Sequence, residues 1–367
     1  MSSYRCPDCA TSAPVESASW CCPSCRGPWD LDFTAAPVGL ESLSASVRVN
    51  SLWRYHEALP ISAPAVSLGE GRTPLVQLTE SVWVKLDFLM PTLSFKDRGA
   101  VLLAELARRL APRRVIADSS GNAGTAIGAY CARAGLDCTV YVPEATSAKK
   151  VEQIRAHGAH LELVPGDREA AAGAARAAAD IPGTFYASHV YNPYFLHGTK
   201  TYVYELWEDL GGTLPEAIVV PVGNGTLLLG AALAIGELHA GGLIAERPAL
   251  IAVQAETVSP LAAAFHAGAE DLLDDVAPPR PTLAEGIAIP RPPRARQILR
   301  AVRESGGTFL TVTEDQIRAA QLDLAAQGLF VESTGVACWA AAGGWTDRTS
   351  VVPLCGAGLK TGLAPGS

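Results

Sequence analysis

The stretch Pro91-Thr92-Leu93-Ser94-Phe95-Lys96-Asp97-Arg98-Gly99 sets one lysine between a short Pro/Thr/Ser turn and an Ala/Leu-rich helix pattern over residues 101–110. An amine held at a helix start lies near aligned N–H dipoles and partly out of water. Both disfavour the ammonium, so the free amine can attack an aldehyde. A lysine beside an aspartate and an arginine is ordinarily solvated surface charge, so Lys96 by itself carries little weight. Three later motifs add to it. Ser119-Ser120-Gly121-Asn122-Ala123-Gly124-Thr125 places Asn122 26 positions after Lys96. Gly223-Asn224-Gly225-Thr226 divides an apolar run from a Leu/Ala helix pattern. A glycine-rich turn there offers free N–H groups and a helix N-terminus to an anion. Cys355-Gly356-Ala357-Gly358-Leu359-Lys360 closes the last apolar run.

The elements that must position these residues alternate. After the 101–110 helix, strands are expected at 115–117, 138–142, 160–164 and 184–187. Helices are expected at 123–134, 147–157 and 167–180, the first stopped by Gly135. Strands alternating with helices at this spacing imply a parallel sheet covered on both faces. Asn192 followed by Pro193 reads as a helix start. Residues 217–222 and 249–254 read as buried strands, 278–294 as a Pro/Arg-rich surface loop, Thr313 to Gln316 as a capping box, and 350–354 as a final strand delivering Cys355. Trp53 and Tyr55 are expected to anchor the irregular 35–66 segment. Lys85, on the short strand pattern 83–87, reads as an ion-pair partner rather than a catalyst.

In this order the four motifs resemble the fold-type II pyridoxal-phosphate (PLP) enzymes, and within them threonine synthase and its relatives. The resemblance runs from about Leu68 to Lys360 and includes the opening segment Ser67 to Leu75. It implies an α/β fold of the tryptophan synthase β-like kind: two domains with parallel sheets, preceded by a small four-cysteine zinc ribbon. The implied domains are a ribbon at 1–34, a large PLP-binding domain at 35–98 and 189–367, and a small mobile domain at 99–188. Lys96 would bond the cofactor aldehyde and later shuttle protons, and Asn122 would hydrogen-bond O3′. Gly223, Asn224, Gly225 and Thr226 would grip the phosphate. Ser94, Arg98, Ser119, Ser120, Gly121 and Thr125 would serve the substrate, with Lys200 as a further candidate, while Glu332 and Glu285 line the ring or play structural parts. Cys355 would face the ring nitrogen.

This chain departs from the family at three points. Cys355 stands where relatives usually have serine or threonine, Ala357 where threonine synthases tend to have histidine, and Leu93 replaces a usual glycine. A thiol is a weak donor, so the ring nitrogen should stay unprotonated. The resemblance implies a PLP-dependent lyase, a threonine synthase or close relative that turns O-phosphohomoserine into threonine by losing phosphate and adding water. The departures keep two alternatives open. One is β-elimination or β-replacement, as in serine/threonine dehydratases or cysteate synthase. The other is a PLP-holding, non-catalytic regulator, against which the intact Lys96 and Asn122 argue.

Cys6-Pro7-Asp8-Cys9 and Cys22-Pro23-Ser24-Cys25 are matched knuckles twelve residues apart. Two such turns complete a closed, structural Zn²⁺ site. Cys21 is an alternative ligand, but the repeated Cys-Pro-x-Cys frame favours Cys22. Acidic neighbours offset Arg5 and Arg26, so the ribbon is expected to cap the enzyme body or pack in a dimer. The nine cysteines do not read as a disulfide framework in a chain of 367 residues whose polar N-terminus is unlike a signal peptide. A net charge of −8 argues against nucleic acid as a partner. The longest apolar run, 217–236, is broken by Pro221 and Gly-Asn-Gly, which argues against a membrane. A cytoplasmic homodimer acting on a small amino acid or phospho-amino acid is the expectation.

Overall fold

The computed structural model describes residues 2–45, 47–275, 278–343 and 348–364. The chain forms two compact units: Met1–Val38, Ala45–Gly71 and Met90–Thr199 make the first, and Gly39–Ser44, Arg72–Leu89 and Lys200–Ser367 the second. The first opens with three short antiparallel strands, β1 (Ser3–Arg5), β2 (Ser12–Pro14) and β3 (Asp30–Asp32), in the order β2-β1-β3. Three short elements follow, α1 (Leu40–Ala45), β4 (Leu75–Gln77) and β5 (Val82–Lys85), both strands and all of α1 but Ala45 belonging to the second unit.

The first unit then runs α2 (Asp97–Leu110), β6 (Arg114–Ala117), α3 (Asn122–Ala134), β7 (Cys138–Pro143), α4 (Ala148–Ala156), β8 (His160–Val164), α5 (Arg168–Ala179), β9 (Thr184–Tyr186) and α6 (Pro193–Thr199). The four strands pair in parallel in the order β8-β7-β6-β9. Their sequence signals are local. Asp167 caps α5 by accepting from the Ala170 N–H at 3.0 Å. Asn192 Oδ1 accepts from the Tyr194 N–H at 3.1 Å at the start of α6. Gly135 ends α3 at φ +69°, which costs glycine nothing. The core joins Ala100–Ala107 on α2 to Ile127 and Tyr130 on α3, and continues through Leu52 and Trp53 to Tyr4, Cys6 and Trp29 of the ribbon. Trp53 and Tyr55 are buried as expected.

The second unit adds α7 (Thr201–Asp209), β10 (Ala217–Pro221), α8 (Thr226–Ala240), β11 (Ala249–Ala255), α9 (Pro260–His266), α10 (Ala295–Glu304), β12 (Thr308–Val312), α11 (Glu314–Ala326), α12 (Ser333–Ala342) and β13 (Ser350–Pro353). The strand order is β12-β11-β10-β13-β5-β4, parallel throughout except for the β4 edge. Every residue of β10 and β11 is buried, as strands covered on both faces require. The Thr313 capping box is formed in both directions.

Two expectations needed correction. The helix expected over 101–110 begins at Asp97, because the Lys96 carbonyl already accepts from the Ala100 N–H at 2.9 Å. The 278–294 loop is only partly surface: it holds a 3₁₀ turn, Glu285–Ile287, and buries Ala284, Ile287 and Arg294.

Candidate active site

In the first unit Lys96 is the N-cap of α2 and is half-buried. The loop before it is tightly held. Asp97 is fully buried; its carboxylate accepts from the Thr92 N–H at 2.7 Å and from the Thr92 hydroxyl. Leu93 adopts φ +62°, the left-handed region, and its N–H donates to the Met90 carbonyl at 2.8 Å. A β-carbon is strained there, so the position is one that glycine would suit. Ser94 Oγ is buried and has no hydrogen-bond partner among the described residues. The Lys96 amine lies 4.1 Å from the Phe95 ring centroid and 5.9 Å from that of Phe195. Arg98 is fully buried.

The second motif of this unit sits at the start of α3. Gly121 is its N-cap and supplies no side-chain cap, so a helix N-terminus with its dipole faces the loop. Ser119 Oγ accepts from the Gly121 N–H at 3.3 Å and shapes the turn. Gly124 is obligatory, since a Cβ there would run into the Ser119 carbonyl. Ser119, Ser120 and Asn122 are half-buried, Gly121 is exposed and Thr125 is buried. α2 and α3 flank β6 in the chain and pack on each other. Each is joined to β6 by a short connection and runs against it, so the Lys96 and Asn122 ends share the strand's carboxyl edge, where open α/β sheets bind ligands.

In the second unit, Gly223-Asn224-Gly225 links β10 to α8, and Gly225 is the N-cap at φ +72°. A Cβ on Gly223 would come within 2.9 Å of Ile287 Cα and of Ile289 Cγ1, and one on Gly225 would strike Ile298. The turn is therefore one that takes only glycine at 223 and 225, opening on the N-terminus of a 15-residue helix. Gln254 steadies it: its side-chain N–H donates to the Val222 carbonyl at 3.1 Å, and its carbonyl accepts from the Leu261 and Ala262 N–H groups. Such a cup fits a phosphate.

Cys355 follows β13, the parallel neighbour of β10, so it emerges at the same edge of that sheet. It is buried, and its thiol donates to the Pro353 carbonyl at 3.6 Å. The Glu332 carboxylate covers Gly356 so closely that no Cβ fits there, and the Glu332 N–H donates to the Gly356 carbonyl at 2.9 Å. Lys85, expected as an ion-pair partner, is fully buried against Asp209 at 2.7 Å and Glu205 at 3.1 Å. Lys200 is held by Glu237 at 2.7 Å, and burial pulls its ammonium below the usual lysine range.

The sequence reading missed two neighbours of Lys96. His189 and Phe195 lie on the turn after β9 and on α6, where nothing in the local pattern separates them from ordinary core residues. Glu70 is a third buried group that it passed over. It accepts from Ser67 Oγ, the Leu68 N–H and Tyr130 Oη, while burial pushes its carboxyl up.

The four ribbon cysteines converge, with all four Sγ atoms within 4.8 Å of one another. Cys6 and Cys25 are 3.4 Å apart, as are Cys9 and Cys22. Ligands at about 2.3 Å from Zn²⁺ in a tetrahedron lie about 3.8 Å apart, so the set fits a metal. Against the cost of burial, the Cys25 and Ser24 N–H groups bring the Cys22 thiol down to about 6.

The family model for pyridoxal-phosphate dependent enzymes matches residues 66–356. The chain is 31% identical over 347 residues to the threonine synthase of Methanosarcina acetivorans, spanning 92% of this chain and 85% of that one. It is 34% identical over 325 residues to the threonine synthase of Mycobacterium leprae, spanning 83% and 87%. Among solved structures, a threonine deaminase from T.th. superposes with a TM-score of 0.66 and 28% identity, over 78% of this chain and 92% of that one. Maize serine racemase, at 20% identity and a TM-score of 0.66 over 78% and 89%, shares the fold.

Proposed function

This chain belongs to the pyridoxal-phosphate dependent enzymes as a threonine synthase-like carbon–oxygen lyase, and on that premise we propose that it converts O-phosphohomoserine to threonine. Its two parallel-sheet units are those of the tryptophan synthase β-like fold. The observation that carries the reading is the lysine at the head of α2, set on the same sheet edge as the uncapped start of α3.

Taken unit by unit, the residues present suit parts of the cofactor: the Gly223 and Gly225 turn, closed to any side chain there, suits a phosphate, and the Lys96 amine suits an aldehyde, with the buried Ser94 Oγ, unpartnered among the described residues, in the same loop as that amine. Bound there, pyridoxal phosphate supplies an electron-withdrawing ring that acidifies the amino acid's Cα–H. Gly223, Asn224, Gly225 and Thr226 would hold its phosphate, and Asn122 would hydrogen-bond its ring oxygen. The α3 N-terminus, with Ser119, Ser120, Gly121 and Thr125, seats the substrate carboxylate, with Ser94 as a further donor. Lys96 takes the Cα proton and returns protons along the side chain as phosphate leaves and water adds. Arg98, the further substrate candidate, is fully buried on α2. The four ribbon cysteines would hold one structural Zn²⁺ as thiolates.

A second reading, β-elimination from an uncharged hydroxy-amino acid, is favoured by one observation. The walls beside the Lys96 amine are the aromatic faces of Phe95 and Phe195, which suit an uncharged side chain better than a phosphate. The experiment is a substrate panel on the cofactor-loaded protein. Phosphate release from O-phosphohomoserine with threonine as product supports the first reading. Release of a 2-oxo acid from threonine or serine without phosphate turnover supports the second and overturns the first.

A further inference from the structure

His189 is a buried titratable group that the proposed mechanism does not use. It lies on the turn between β9 and α6, where Ser188 Oγ accepts from the Val190 and Tyr191 N–H groups at 3.3 and 3.2 Å and fixes the backbone. Its imidazole meets the Phe195 ring edge-on, with centroids 5.8 Å apart and planes at 65°. Phe195, fully buried, is in turn wedged against the lysine helix. A Cβ on Gly99, three residues after Lys96, would land in the Phe195 ring. One turn later a Cβ on Gly198 would strike the Arg98 carbonyl, so α6 and α2 meet backbone to backbone along this seam. The same ring also faces the Lys96 amine at 5.9 Å. A chain of contacts therefore runs from His189 through Phe195 to Lys96, inside one unit.

We propose that His189 is a positioning residue: it backs the Phe195 ring, and the ring fixes where the Lys96 amine rests when it is not bonded to the cofactor. The imidazole suits the task because it stays neutral. Burial, then the nearby Lys96 and Arg168 charges, hold it well below the usual histidine range. A protonated ring in its place would repel the ammonium it helps to hold. An amine displaced by about 1 Å loses one to two orders of magnitude in a proton transfer.

The inference rests on Lys96 being the cofactor lysine, and the test separates the two ideas. Borohydride reduction of the cofactor-loaded wild type, with peptide mapping, locates the pyridoxyl group. A label on Lys85, Lys200 or Lys360 would bring down the site reading and this inference with it. The inference itself is tested on cofactor-free protein, by competitive labelling of Lys96 with acetic anhydride relative to surface lysines. In folded His189→Ala the relative labelling rate of Lys96 is expected to change by about fivefold, the weight of about 1 kcal/mol of lost packing. His189→Phe keeps an aromatic edge without ring nitrogens and is expected to restore the wild-type rate. On the loaded enzyme the Ala variant should lose kcat with KM held. Wild-type labelling in His189→Ala overturns the proposal. So does rescue by His189→Gln but not by His189→Phe, because the role would then belong to a ring nitrogen rather than to Phe195. Should His189→Ala fail to fold, Phe195→Leu probes the same chain of contacts, and unchanged labelling there is equally decisive.

Discussion

At the scale of single residues the lysine loop and the Cys355 turn make opposite demands. Lys96 is half-buried and caps α2 through its backbone rather than its side chain. Lys96→Ala should therefore leave the fold within about 1 kcal/mol of wild type while removing the visible cofactor band and the borohydride-fixed label. A variant that fails to fold, instead of a silent folded protein, would assign Lys96 to structure. Cys355 is different because it is buried against a carbonyl. Cys355→Ser keeps the size and donates to the Pro353 carbonyl, so stability and cofactor loading should hold. Cys355→Asp puts a carboxylate where a carbonyl oxygen already points and should cost about 2–5 kcal/mol in denaturant unfolding. If the aspartate variant is as stable as wild type, the Cys355 pocket is wetter than its burial implies. His189 gives the pH handle. Its folded pKa is depressed, so below the unfolded value near ~6.5 only the unfolded chain takes up the proton. Stability from this group is thus full above about pH 6.5 and falls as pH drops, by up to about 1.4 kcal/mol per pH unit. Unfolding of wild type and His189→Phe at about pH 7 and about pH 5.5, on either side of that value, should show the wild type losing more.

At the scale of elements, turn chemistry explains both what the sequence made legible and what it hid. The βα series of the first unit could be read nearly residue by residue, because its helices carry their own punctuation: Asp167, Gly135 and the Asn192-Pro193 start, with the Thr313 box doing the same in the second unit. The glycine motifs were legible for a similar reason, since each marks a place where a side chain will not fit. The start of α2 was not, because Asp97 is spent on Thr92 and no capping residue announces the helix. Nor was the 278–294 segment, whose prolines and arginines suggest solvent although Ile287 and Ile289 roof the Gly223 turn and Arg294 is buried. The Phe195 wedge was invisible because it depends on α6 packing across the sequence onto Gly99. Gly124 offers the sharpest element-scale test. Gly124→Ala forces the Ser119 carbonyl aside and should disorder the first turn of α3. Substrate KM should rise by at least about tenfold, with cofactor loading retained, since one lost seat for a carboxylate is worth about 1.5–3 kcal/mol. Unchanged KM would move the carboxylate seat away from this helix.

At the scale of the whole first unit the ribbon is not an appendage. Its Tyr4, Cys6, Val15, Cys22 and Trp29 belong to the same apolar core as Leu102 and Phe195. Trp20 packs edge-on against Tyr186 and Tyr191, and its indole N–H donates to Asp180 at 2.8 Å. Arg26 stacks over the Trp20 ring at 4.7 Å and makes a forked bond to the same carboxylate. This is the capping arrangement expected of a ribbon without a basic face. It also changes what losing the metal should do. An independent ribbon would melt alone and leave the rest of the unit untouched. A ribbon that shares the core takes neighbours with it, because four cysteines no longer tied to one ion let the knuckles part and expose Tyr4 and Trp29. Chelation of zinc from cofactor-free protein should thus lower the main unfolding transition by at least about 5 °C, rather than add a small early one. Cys22→Ser should reproduce that shift and abolish stoichiometric zinc. Asp180→Ala, which cuts only the exposed Arg26 ion pair and the Trp20 indole bond, should keep zinc and shift the transition much less. A separate low-temperature transition after chelation, with the main one unmoved, would show that the shared core contributes nothing to the unit's cooperativity.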